Sequence, residues 1–272
     1  MLVVLLAGCA GGDQLPPVAA AVAPAALPDV PGVTATAVLY RSDVAVGDQF
    51  QVRVTNTGTT PFTVSSVQLD SPGFAPVPAR AIDVEFPAGR TFALPTRFGA
   101  VDCAAVPEPL GARLTLTRDG GGPEEVLVPL GGTVLDEVHH QQCAIEAATA
   151  AAGISVQGLV AGSDRVTGEV VLTRGEGADP VVVSEVQRSV VLEPVVEVPL
   201  PAALAAGDTE LRLPLTIRPA TCDSHALAET KQPFHFPMLV TVGAGETVPV
   251  PLPLDDGQRT VLQDLLGRVC HR

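Results

Sequence analysis

Two pairs of cysteines, set at matching points of a repeated pattern, constrain this chain more than any other feature. Thr133-Val134-Leu135-Asp136 precedes Cys143 by the same interval at which Thr260-Val261-Leu262-Gln263 precedes Cys270. Upstream, Leu94-Pro95 stands before Cys103 as Leu213-Pro214 stands before Cys222. Each copy reads as a strand, a cysteine, further strands, then a short helix carrying a second cysteine. The expectation is an all-β chain of two tandem domains, residues 33–143 and 144–272, each closed by one disulfide. Equal spacing favours Cys103–Cys143 and Cys222–Cys270. The rival pairing is Cys143–Cys222 across the boundary, which leaves Cys103 to Cys270. Loops of this length contribute about 4 kcal/mol each when closed. Such bonds also imply an oxidising compartment.

The repeat extends beyond the cysteines. Pro180-Val181-Val182-Val183-Ser184-Glu185-Val186-Gln187 follows Pro61-Phe62-Thr63-Val64-Ser65-Ser66-Val67-Gln68 in order and pattern. Ala206-Gly207 before Leu211 and Leu213 echoes Ala88-Gly89 before Phe92 and Leu94, and Glu246, Val248 and Val250 echo Glu124, Val126 and Val128. Within each copy apolar residues alternate, as Phe50, Val52 and Val54 do around Gln51 and Arg53, which is the period of a half-buried strand. Aromatic residues make up only 3% of the chain and Trp is absent, against 46% hydrophobic residues overall. Val, Leu and Ala must therefore build the cores, and Val favours strands. Gly and Pro, 26 of each, fall between short apolar runs as turn signals suited to an all-β fold.

Val46-Gly47-Asp48 followed by Val52-Arg53-Val54-Thr55-Asn56-Thr57-Gly58 resembles bacterial immunoglobulin-like modules of the CARDB type. That resemblance implies β-sandwich domains that present sheet faces, edges and loops to a protein partner. In the second copy Arg174-Gly175-Glu176-Gly177 stands where the first has Asn56-Thr57-Gly58. The terminal Thr-Val-Leu of each copy reads as a helix start. Thr260 with Gln263 fits a capping box, and Thr133 with Asp136 is a weaker form of it. Asp255-Asp256-Gly257 reads as a turn before the last helix. In the first copy the helical pattern runs on through Cys143 to Ala152 and stops at Gly153, so a stiff helix is expected between the domains.

At the N-terminus an apolar run ends in Leu6-Ala7-Gly8-Cys9. This resembles the lipobox of bacterial lipoproteins, in which signal peptidase cuts before a cysteine that carries diacylglycerol. Residues 1–8 then read as the remnant of a signal peptide. The run is short and no Lys or Arg precedes Cys9, so a start upstream of Met1 is expected. Residues 9–32, lipid-anchored at Cys9 and broken by Pro16, Pro17, Pro24, Pro28 and Pro31, read as a semi-extended tether. The resemblance implies an extracytoplasmic protein, lipid-anchored to the bacterial cell membrane through Cys9.

A formal charge of −14 argues against nucleic acid as a partner. His139-His140 beside Cys143 reads as a solvated helix face. Asp223-Ser224-His225 holds triad residue types without triad geometry, and no Gly-x-Ser-x-Gly elbow occurs. Asp119-Gly120-Gly121-Gly122-Pro123 is hairpin chemistry. The segment after Cys222 is longer than its counterpart after Cys103, and it holds His225, the sole lysine Lys231, Phe234, His235 and Phe236 ahead of Met238. Loops carry function more often than scaffold does. The leading expectation is a non-enzymatic, membrane-anchored envelope protein that binds a protein partner, without cofactor or metal. The alternative is ligand or metal binding by the His225–Met238 insert.

Overall fold

The structure is a computed structural model and describes residues 26–270. The lipobox cysteine Cys9, residues 1–8 and most of the tether lie outside the described residues. The N-terminal half begins with strands β1 (Val33–Val38) and β2 (Gln49–Asn56), joined through helix α1 (Arg41–Val46). Strands β3 (Phe62–Asp70), β4 (Arg80–Phe86), β5 (Thr91–Arg97), β6 (Gly111–Arg118) and β7 (Pro123–Gly131) follow. They form one seven-stranded sheet of order β4-β3-β6-β7-β1-β2-β5. All neighbours are antiparallel except β1 and β7, which run parallel through Ala35 and Leu130. The sheet folds over a single core, because Phe50, Val52 and Leu94 from one end meet Phe62, Val64, Leu114 and Leu116 from the other.

The C-terminal half repeats this order after helix α2 (Val134–Ala151). Its strands are β8 (Ala152–Ala161), β9 (Val166–Arg174), β10 (Val181–Val186), β11 (Leu192–Val196), β12 (Ala202–Leu204), β13 (Glu210–Pro219), β14 (Pro237–Val242) and β15 (Thr247–Pro251). Helix α3 (Ser224–Glu229) lies in the segment after Cys222, and helix α4 (Asp256–Cys270) ends the chain's described part. Two four-stranded sheets result, β12-β10-β14-β15 and β11-β13-β9-β8, packed on a second core. The molecule is thus mostly β, with two separate cores. Among the described residues no helix is long and apolar enough to cross a membrane.

The matching segments fold alike down to their irregularities. In β3 the inward residues shift from Phe62 and Val64 to Val67 and Leu69, and the pairing register slips between Val64 and Ser66. In β10 the slip falls between Val183 and Glu185. The extra residue is a serine in both, and its hydroxyl donates across to the neighbouring strand, Ser65 to the Thr115 carbonyl and Ser184 to that of Leu239. A bulge of this kind re-aims the side chains that follow it, so the apolar period changes phase without leaving the core.

Two helix starts differ from the sequence expectation. The capping box forms one turn before Thr260: Asp255 Oδ1 accepts from the Gln258 amide at 2.7 Å and Gln258 Oε1 from the Asp255 amide at 3.0 Å. Asp256-Gly257 is therefore helix, and the Thr260 hydroxyl bonds back to the Asp256 carbonyl. At the start of α2, Thr133 makes no cap, because its backbone is already helical (φ −103°, ψ −5°), and its hydroxyl donates to Glu137 instead. The Ala-rich stretch after Cys143 continues α2 to Ala151, as its helix propensity favours.

Helix α2 serves both cores. Leu135 is buried in the N-terminal core with Val134 and Val138 against it, while Ala148, Ile145 and Ala151 pack into the C-terminal one. The carbonyls left open at its C-terminus accept from Gly175 and Glu176, at 3.0 and 2.8 Å. Gly175 is required there: a Cβ would stand 2.1 Å from the Ala150 carbonyl oxygen.

Candidate functional site

Cys103 is joined to Cys143 and Cys222 to Cys270, with Cα atoms 5.5 and 5.1 Å apart. Each bond ties the segment entering β6 or β14 to the helix that closes its half. His139 is not solvated. It is buried, edge-on to Phe74, with Nε2 3.1 Å from the Asp102 carbonyl. His140 faces out and lies 3.4 Å from Glu246 of the C-terminal half.

The insert after Cys222 is not gathered into one site. Asp223 caps α3, accepting from the Ala226 amide at 2.8 Å, and His225 is exposed on that short helix. Phe236 and Met238 are wholly buried in the C-terminal core, and Phe234 packs against it. The strand period explains this: entering β14, residues 236, 238 and 240 point inward and 235 points out. The aromatics that sequence reasoning set aside for binding are thus core in a half that has no others. Among the described residues no three His, Cys, Asp or Glu side chains converge as metal ligands would.

His235 does open on a cavity, in company that the sequence does not announce. A groove of about 700 Å³ runs between α1 of the N-terminal half and, from the C-terminal half, the 188–190 turn and the insert. Val44, Ala45 and Val190 form its apolar surface, and Arg41, Arg188 and Lys231 stand around it. Val44 and Val190 are 48% and 59% exposed, and Tyr40 and Val46, at the two ends of α1, are exposed as well. Gln232 Nε2 reaches across to the Val44 carbonyl at 3.4 Å.

Helix α1 is held by a polar anchor instead of an apolar face, which is why its valines are free to face outward. Asp43 is its one buried residue. The carboxylate accepts from the side-chain amides of Gln49 at 2.6 Å and Gln51 at 2.8 Å, and from the Tyr40 amide at 3.0 Å. Burial pushes its pKa up, but the Gln49, Tyr40 and Gln51 bonds outweigh it, so Asp43 titrates below the ordinary carboxylate.

A second cavity of about 590 Å³ lies beside Cys222, lined by Asp164, Arg165, Glu197 and Arg218. Its arginines are already satisfied, Arg165 by Asp164 and Arg218 by Glu193. The groove cations differ: among the described residues Arg41, Arg188 and Lys231 enter no ion pair.

No family model matches the sequence, and no curated protein matches it. Solved structures similar to parts of it include red sea bream transglutaminase, at 13% identity and a TM-score of 0.24, over 82% of this chain and 30% of that one. The calcium binding domain CBD12 of CALX1.1 is 15% identical with a TM-score of 0.20, over 81% of this chain and 82% of that one. The secreted serine protease VesC from Vibrio cholerae is 9% identical with a TM-score of 0.19, over 75% and 47%. The chain spans less than a third of the transglutaminase. Likeness at this level carries no inference about what this chain does.

Proposed function

We propose that this chain is a lipid-anchored, non-enzymatic binding module of a bacterial cell envelope. It is built from two tandem immunoglobulin-like β-sandwich domains, residues 33–143 and 144–272, carried on the 9–32 tether from a lipid on Cys9. The observation that supports the tandem reading is the double packing of α2, whose N-terminal turns enter one core and whose C-terminal turns enter the other. A helix shared in this way holds two modules at a set angle, which suits presentation of a surface to a protein partner. Five of the six perturbed ionisable groups have structural partners, Asp43 as the anchor of a turn and Arg113, Asp164, Arg165 and Arg212 in surface ion pairs; the sixth, Asp136, is raised by burial on α2. Two acyl chains on Cys9 suffice for stable anchoring, where one would hold only marginally.

The test is fractionation in a bacterial host. Wild type is expected with the membranes and Cys9→Ser in the soluble fraction. Membrane partitioning unchanged in Cys9→Ser removes the anchor from this reading. The alternative of ligand binding by the insert is supported at Lys231, Gln232 and His235, which line the groove, and not at His225, Phe236 or Met238.

A further inference from the structure

We infer that the groove between α1 and the insert is the docking site for an acidic peptide segment of a partner protein, seated by carboxylates on Arg41, Arg188 and Lys231 and by aliphatic side chains on Val44 and Val190. This rests on the reading of the chain as a protein-binding module and names the chemistry of what it binds.

Charge sets the sign of the occupant. The chain carries −14 overall, yet the groove has three cations, its only lysine among them, against the single carboxylate of Glu229. Several arginines elsewhere sit on carboxylates of their own surface, as Arg113 does on Asp70 and Glu125 and Arg212 on Glu169 and Glu210, and those without a carboxylate, such as Arg53, Arg80 and Arg90, do not share a groove with two other cations. Three cations lining one groove with a single carboxylate give it a locally positive potential, which the carboxylates of a partner would complement. Apolar exposure points to the same place. Among the described residues, two of the seven exposed large hydrophobics, Val44 and Val190, line the groove, and two more, Tyr40 and Val46, stand at the ends of α1 outside the lining. Exposed valines beside the cations fit a peptide better than a small inorganic anion, which would leave those valines wet.

Net charge favours a protein segment over an anionic lipid headgroup, because a chain carrying −14 is repelled by an anionic membrane surface. Gly32, where the tether enters, packs on Gly58 at the far end of β1 from α1. The six residues of β1 separate the two ends by about 20 Å. The groove therefore lies between the two halves, about one strand length from the point where the tether joins β1.

The experiment measures binding of the full chain to an array of short peptides with equal Leu and Val content and net charge running from acidic to basic. Vesicles of phosphatidylglycerol form a parallel arm. Acidic peptides are expected to bind, more weakly as salt rises, and Arg188→Glu with Lys231→Glu should lower that affinity about 10-fold or more. Val190→Ser should weaken it less, and Arg80→Glu on β4, outside the groove, should leave it unchanged. Circular dichroism melts confirm that each variant is folded. Several outcomes would overturn the assignment. Peptides bound without regard to charge do so, as does binding indifferent to the Arg188 and Lys231 reversals; in the latter case the module reading stands and only the groove falls. Binding to the vesicles alone gives the groove to lipid. A salt-sensitive dimer in sedimentation, lost with the same reversals, gives it to a second copy of this chain. Cys9→Ser fractionation is read separately, so loss of the anchor and loss of the groove are told apart.

Discussion

Asn56 and Arg174 end the second strand of the two halves, at the same register: Asn56 opposes Val33 and Arg174 opposes Ala152. Both tie that strand end to the chain returning from the opposite layer, by different chemistry. Asn56 is buried and donates to the Thr60 and Phe86 carbonyls, each at 2.8 Å, while its Oδ1 accepts from Gly58 at 2.9 Å. Arg174 is half-exposed and reaches the carbonyls of Asp179, Leu204, Ala205 and Asp208 with its fork of N–H groups. Phe86 and Leu204 end β4 and β12, which occupy the same edge of their sheets. What precedes the first strand decides the difference. In the N-terminal half a Pro31-Gly32 turn leads into β1, and Gly58 packs against Gly32. In the C-terminal half the end of α2 fills that place, and Gly175 and Glu176 must cap it. The tight Asn-Thr-Gly turn cannot serve there, so a longer side chain spans the gap.

The cores differ as well, and the largest expected effect tests that difference. The N-terminal core shares its aromatic packing among Phe50, Phe62, Phe74, Phe86 and Phe98, whereas Phe236 is the only fully buried ring of the other. Phe236→Ala should cost about 3–5 kcal/mol of stability in a denaturant titration. His225→Ala, on exposed α3, should change it by less than about 0.5 kcal/mol. Similar midpoints for the two variants would mean that the insert is not core.

Next comes the strand-end pair itself. Asn56→Ala leaves the Phe86 carbonyl buried without a donor and should cost about 2–3 kcal/mol. Arg174→Ala frees carbonyls that water can reach, and should cost about 1 kcal/mol. Arg174→Lys should not restore it, since one ammonium cannot replace the fork. Equal losses at the two positions would break the distinction between buried and solvated ties.

The smallest effect concerns Asp136, which lies on α2 where the C-terminal half has exposed Gln263 on α4. Its Oδ1 is buried without a partner. Burial, and then the charge of Glu108, raise its pKa. A raised value means that the stabilisation is complete below the unfolded value of about 3.9 and is lost as pH rises through the folded one. Asp136→Asn should therefore raise the melting temperature slightly at neutral pH, with the gain fading below about pH 4. Asp43, whose value is lowered, has the opposite sign: its contribution is present above about pH 4 and is lost as pH falls through its folded value.

Local signals carried much of the architecture. The match of Pro61–Gln68 to Pro180–Gln187 is legible as a repeat, whereas the bulges at Ser65 and Ser184 are not, because a register slip is defined only against the strand alongside. Helix α2 is legible beyond Cys143 because alanine favours helix whatever surrounds it. The start of α4 was misplaced because Thr260 and Asp255 both satisfy the capping pattern; only contacts with the sheet select between them. Gln258, from the true cap, also donates to the Val156 carbonyl of β8 at 2.7 Å.

By itself, then, the sequence determined the strand-rich character of the chain, the repetition of its segments and the helix running past Cys143, since each depends on neighbours a few residues away or on a repeated interval. Tertiary structure alone decided that Arg174 does the work of Asn56, that Phe236 and Met238 turn inward, and that α1 faces the insert across a groove. Those outcomes depend on which surface meets which. Residues 41–45, 188–190 and 226–237 become neighbours only after α2 has packed one end in each core.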